Sequence, residues 1–159
     1  MAGRITPNLW FNGNAEEAAN FYAAVFPDSR IDQIMRSAAD TPSGPAGMVL
    51  TVEFTVAGQK FLGINGGLQF PFTEAVSFSV DCADQAEVDR YWDALTAGGG
   101  KPVQCGWLKD RFGLSWQIVP AIMPRLLADP DRQRARRVME AMMSMVKINV
   151  AALQAAYDG

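Results

Sequence analysis

Histidine is absent from all 159 residues. That absence removes imidazole general-base catalysis, Ser-His-Asp triads and every His-ligated metal site. Cysteine is scarce as well: Cys82 and Cys105 stand 23 residues apart with no second pair. Neither a zinc knuckle nor a disulfide framework can be built from them, and both read as ordinary free thiols. No Gly-x-Gly-x-x-Gly joins a strand to a helix and no Gly-Lys-Ser/Thr loop occurs. Dinucleotide and nucleoside triphosphate binding therefore lose their usual supports. No apolar run approaches the roughly 18–20 residues of a membrane span, and Met1 to Pro7 holds no signal-peptide core. A cytoplasmic protein without membrane contact is expected. Cations do not dominate either, with 14 Lys and Arg against 17 Asp and Glu and a net charge of -3. A nucleic-acid partner is not expected.

What is present is ordinary for a globular chain: 49% hydrophobic and 19% charged residues, enough for one compact domain or two small fused modules. Within it, one pattern occurs twice. Asn14 can cap a helix, Glu17 sits three residues on as in a capping box, and Ala18, Phe21, Tyr22 and Val25 form an apolar face. Asp84, Glu87, Val88, Tyr91, Trp92 and Leu95 repeat the pattern at an offset of 70. A strand-like segment precedes each helix, Ile5 to Phe11 and Ala75 to Asp81, and a breaker follows each, Pro27-Asp28 and Gly98-Gly99-Gly100.

Downstream of the first helix, Ile31 to Arg36, Met48 to Val56 and Lys60 to Asn65 read as strands, the last two joined by the turn Ala57-Gly58-Gln59. Downstream of the second, Pro102 to Leu108 and Leu114 to Val119 flank the loop Lys109 to Gly113. Each half is β-α-β-β-β in outline, and such halves are expected to pack together. The predicted class is α+β, with a first module over 4–70, a second over 74–120 and a helical tail over 121–159. In the tail, Asp129 and Pro130 read as the start of a helix striped by Ala135, Val138, Met139, Met142 and Val146. Arg132, Arg134, Arg136 and Arg137 take other faces and read as a solvated surface. A short helix from Asn149 to Asp158 ends the chain. The tail can latch over its own sheet or over a partner.

Candidate chemistry concentrates near the hairpins. Glu53 alternates away from Val52, Phe54 and Val56, and is either a solvent-facing strand residue or a carboxylate base inside a cup. Asn65, followed by Gly66-Gly67, can hold a substrate carbonyl or simply serve a turn. The densest cluster is Gln104 to Arg111. There Cys105 near Lys109 is a candidate nucleophile, although no histidine can serve it as base. Trp107 and Trp116 can stack on a flat ligand or fill the core, while Gln117 offers an amide and Asp110 a carboxylate. Met139, Met142, Met143 and Met145 can dock a partner or fill the interior.

The blocks Leu9 to Tyr22 (LWFNGNAEEAANFY), Phe26 to Ser29 (FPDS), Asn65 to Gly67 (NGG) and Gln104 to Gln117 (QCGWLKDRFGLSWQ) are similar to the PhnB-like branch of the glyoxalase/bleomycin-resistance, or vicinal oxygen chelate, superfamily. The resemblance extends over essentially the whole chain, tail included. It implies paired β-α-β-β-β modules, a cup-shaped mixed sheet about each site and a homodimer. Metal enzymes of the superfamily set ligands on the first and last strands of each module. By rough alignment those positions fall near Pro7 and Ala75, near Gly63 or Asn65, and at Gln117. Only amides remain there, a poor divalent site, so no metal is expected and glyoxalase or dioxygenase chemistry does not carry over. The leading expectation is a metal-free protein that binds a small, flat organic molecule. Trp107, Trp116, and Phe54 or Phe61 would give it surface, and Asn65, Gln117, Glu53 and Lys109 would orient it. The branch also bears the name 3-demethylubiquinone 3-methyltransferase-like. That name implies an alternative, S-adenosylmethionine-dependent methyl transfer to a quinone-like phenol, with a metal-free lyase or isomerase using Glu53 beside it. An interaction module using the Met-rich helix is the third expectation.

Overall fold

The computed structural model describes residues 5–159, which form two compact units, one ending at Phe72 and the other running Thr73–Gly159. In the first unit, β1 (Asn8–Phe11), α1 (Ala15–Val25), β2 (Arg30–Arg36), β3 (Val49–Val56) and β4 (Gln59–Asn65) make one sheet of order β1-β4-β3-β2. β1 runs parallel to β4, and the other pairs are antiparallel. Helix α1 covers one face. Tyr22 stacks on Phe54, and Phe54 on its cross-strand neighbour Phe61, with ring centroids 6.2 and 5.5 Å apart. The buried helical stripe is Ala15, Ala18, Ala19 and Tyr22. Phe21 and Val25, expected inside, are only half-buried because the close approach of helix and sheet favours the alanine side.

The second unit repeats the plan with β5 (Ser77–Cys82), α2 (Gln85–Thr96), β6 (Lys101–Pro102), β7 (Trp107–Lys109) and β8 (Ser115–Pro120), in the order β5-β8-β7-β6. Val88, Tyr91, Trp92 and Leu95 are all buried, as the period predicts. Each sheet mixes parallel and antiparallel pairs, giving the expected α+β architecture.

The structure corrects the sequence reading in several places. Pro102 to Leu108 is not one strand. Val103 to Gly106 interrupts it, with Cys105 and Gly106 at φ of 57° and 82°, which no strand residue adopts. Lys109 belongs to β7 and not to the following loop. Asn14 makes no side-chain cap, whereas Asp84 accepts from Glu87 N and Glu87 reaches back to Ala83 N. The tail helix is capped by Asp131, not Asp129, through Gln133 N and Arg134 N.

That tail comprises α3 (Ile122–Leu127), α4 (Arg132–Met143) and α5 (Val150–Asp158), and lies within the second unit. Val138, Ile148 and Leu153 are fully buried together with Met123 and Leu126. Gln85 at the start of α2 holds the tail in strand-like fashion, donating to Ile148 O and accepting from Val150 N. Cys105 N and Gly106 N donate to Met145 O and Val146 O, each at 2.8 Å. The tail latches onto its own unit. No helix among the described residues is long and apolar enough to cross a membrane.

Candidate functional site

The repeat has a slip that the helices conceal. Helix positions are offset by 70, but inward strand residues Leu9 and Phe11 correspond to Val80 and Cys82, an offset of 71. Three residues join β1 to α1 and only two join β5 to α2. Because side chains alternate, one residue exchanges the faces of a strand. Gln117 and the position expected to match it, Gly63 or Asn65, lie on opposite faces. Gly63 and Asn65 stand with Phe61 toward α1 and match Ile118 and Pro120; Gln117 matches Leu62 on the face away from the helix.

The second sheet divides the predicted residues the same way. Leu108 pairs with Trp116, and Phe78 with Trp116, on the α2 side. Trp107 pairs with Gln117, and Lys109 with Ser115, on the face away from α2, where Ser77 and Ser79 join them and Val119, at the far end of β8, packs on the tail core. Trp107, Lys109 and Gln117 are thus brought together. Trp116 is not with them: it is 4% exposed, its ring lies against Phe78, and its indole N–H donates to Asp110 Oδ2 at 2.9 Å.

Asp110 is occupied by the hairpin itself. Oδ1 accepts from Phe112 N and Leu114 N while Oδ2 takes the Trp116 indole, so this buried carboxylate shapes the loop. Asn65 is equally engaged. Its Oδ1 accepts from Ala15 N and its Nδ2 donates to Val49 O. The two glycines after it fit the Trp10 ring: a Cβ at Gly66 would collide with that ring, and Gly67 O accepts its indole N–H. Cys105 is half-buried and tied to the tail, and the Lys109 amine faces Glu74, which holds it as an ion pair. The hydrogen bond from Lys109 keeps the Glu74 carboxyl below its usual value. Burial, aided by Glu87 and Asp81, pushes the other thiol, Cys82, up to about 11.

Two features escaped the sequence reading. Ser115 is 1% exposed, and its Oγ has no hydrogen-bond partner among the described residues. It sits beside Gln117, whose Nε2 donates to Ser77 Oγ at 2.9 Å. The polar-apolar alternation of Ser77-Phe78-Ser79-Val80 marked that face, but nothing local marks an orphaned hydroxyl. In the first unit, Glu53 is exposed and lines a cleft of about 300 Å³ on the helix-free face with Asn8, Asp32, Lys60 and Leu62. Asp32 accepts from the Thr55 hydroxyl at 2.6 Å and pairs with Arg30 at 2.7 Å. That hydrogen bond first, then the Arg30 and Lys60 charges, hold its carboxyl below the ordinary range. No group of three or more Cys, Asp or Glu among the described residues is placed to hold a metal ion.

With this architecture in view, the chain was compared with known proteins. The model of the 3-demethylubiquinone-9 3-methyltransferase family matches residues 3–119. The chain belongs to that family. A PhnB protein from Bacillus cereus bearing the family's name is 36% identical, with a TM-score of 0.67 over 75% of this chain and 100% of that one. The protein PA1353 from Pseudomonas aeruginosa is 24% identical, with a TM-score of 0.59 over 75% of this chain and 98% of its own. The fosfomycin resistance protein FosX from Listeria monocytogenes, solved with Mn(II) and sulfate, shares the fold at 16% identity and a TM-score of 0.52, over 79% and 96% of the two chains. The fold is thus of the glyoxalase/bleomycin-resistance type. No curated protein sequence matches the chain. The family match stops at residue 119, so the tail lies outside it, contrary to the expectation that the resemblance included it. Its role in burying Val138 and Leu153 explains its presence without a family motif.

Proposed function

We propose that this member of the family is a metal-free binding protein for a small, planar organic molecule, received on the face of the second sheet away from α2 and carried by a homodimer. The observation that carries the reading is the Ser115 hydroxyl, buried without a partner beside the Gln117 amide and the Lys109 amine. Buried polar groups in folded proteins are paired, so an orphan on the face that α2 does not cover is a place for a ligand atom. Trp107, half-buried on the same face, offers an aromatic surface. The donor set is hydroxyls, an amide and an ammonium, which favours organic oxygen over a divalent ion.

Methyl transfer, the reaction in the family's name, has less support. S-adenosylmethionine is a large ligand, whereas the first-unit cleft of about 300 Å³ is at the small end of the ~300–1,000 Å³ that ligand pockets span. Neither strand-to-helix turn is glycine-rich. Of the four methionines of the Met-rich stretch, Met142 and Met145 pack on the tail core, whereas Met139 and Met143, with Val146 of the expected stripe, are exposed.

Thermal-shift screening of planar metabolites tests the reading, with native mass spectrometry of the same sample giving the oligomeric mass and any retained adduct. Stabilisation of the wild type that is lost in Trp107→Ala and Gln117→Ala is the expected result. A library that stabilises neither wild type nor variants overturns it.

A further inference from the structure

We infer that the face of the second sheet away from α2 selects an aromatic carboxylate, its ring on Trp107 and its acid group between Lys109 and Ser115, and that Glu74 is the internal anion this ligand displaces. The inference rests on the binding function proposed above and deepens it.

Three observations converge. Lys109 and Ser115 are direct cross-strand neighbours, so their Cβ atoms stand about 4.5–5.5 Å apart, within reach of one carboxylate. The Ser115 hydroxyl is buried and has no hydrogen-bond partner among the described residues, an unfavourable state that an acceptor brought against it as Glu74 leaves would relieve. The Lys109 ammonium, by contrast, is already engaged, but by Glu74, whose side chain is 59% exposed on the irregular stretch before β5. An ion pair with so exposed a partner contributes little, so a better-placed anion can replace it. Glu74 marks the site as built for negative charge.

Trp107 fixes the rest of the ligand. It lies two residues from Lys109 on the same strand and face, about 6.6 Å along the backbone. An arene bearing its acid group directly matches that spacing. The Gln117 amide opposite Trp107 donates its Nε2 to Ser77 Oγ, which fixes its orientation.

Calorimetry on the full chain at low ionic strength, with 2-naphthoate and its neutral analogue 2-naphthamide, tests the inference. Naphthoate should bind about tenfold or more tightly than the amide, and Lys109→Met should abolish the preference. Glu74→Gln, an exposed change that leaves the fold intact, should tighten naphthoate several-fold by removing the competing anion. Ser115→Ala should weaken naphthoate while the melting temperature stays equal or rises, because the hydroxyl has no partner in the free protein. A merely structural serine would show the reverse. Equal affinity for acid and amide, or no response to Glu74→Gln, overturns the inference and leaves the binding function standing. If neither naphthalene probe nor any other planar compound binds, both fall.

Discussion

The side-chain oxygen of Asn65 accepts the N–H of Ala15 at 3.0 Å, across fifty residues of sequence, and so caps the first helix from the end of β4. Asn14, adjacent to that helix, makes no side-chain cap. Asn65→Ala strands the Ala15 N–H and the Val49 carbonyl and should cost about 2–4 kcal/mol, whereas Asn14→Ala should cost about 0.5 kcal/mol or less. Urea unfolding midpoints read both. Equal losses would sink the assignment of the cap to Asn65.

Asp110 organises the β7–β8 hairpin with both carboxylate oxygens. Asp110→Ala removes acceptors from two backbone amides and the Trp116 indole, and should destabilise by about 3 kcal/mol or more. The near-ultraviolet circular dichroism of the remaining native state should also change, because Trp116 loses its fixed orientation. A wild-type spectrum and midpoint would mean that Asp110 is free for other chemistry.

The Ala57-Gly58 turn has both residues at positive φ, 46° and 78°, the geometry of a two-residue hairpin that favours Asn-Gly. Alanine is strained there, while the bond from Ala57 N to Ser29 Oγ needs only backbone. Ala57→Asn should therefore raise stability by roughly 0.5–1 kcal/mol with no change in the urea slope. A lowered midpoint counts against the turn geometry.

Cys82 ties stability to alkaline pH. Its thiol is raised from 9.0 to about 11 in the folded protein, so between those values the unfolded chain loses a proton that the folded chain keeps. Stability from this group is present below pH 9.0 and is lost as pH rises toward about 11. Cys82→Ala should flatten that part of the profile. At pH 8, iodoacetamide should label Cys105, which is half-buried, and spare Cys82 until the protein unfolds.

The tail is held by the side-chain amide of Gln85, by the backbone N–H groups of Cys105 and Gly106, and by an ion pair from Lys147 to Asp89. Gln85→Ala should speed hydrogen exchange at the Val150 amide and cost about 1–2 kcal/mol. Truncation after Asp129 exposes the partners of Val138, Ile148 and Leu153 and should give an insoluble product. A soluble, folded truncation would show that the tail is a separable docking element.

Much of this was readable from residue order because it depends on local chemistry. Apolar spacing at Val88, Tyr91, Trp92 and Leu95 specifies a buried helical face, Asp84 with Glu87 specifies its start, and the doubled pattern specifies two like modules. The absence of histidine bounds the chemistry in the same direct way. What sequence could not show depends on which residues meet across strands. The strand registers, through Phe11 with Asn65 and Cys82 with Pro120, match Asn65 to Pro120 and undo its pairing with Gln117. Only the folded sheet sends Trp116 and Asp110 to one another, gives Asn65 to a helix fifty residues away, and leaves Ser115 buried opposite Lys109 without a partner. Hydrogen-bond satisfaction is a property of the assembled backbone, so the site was decided by tertiary structure and the modules by sequence.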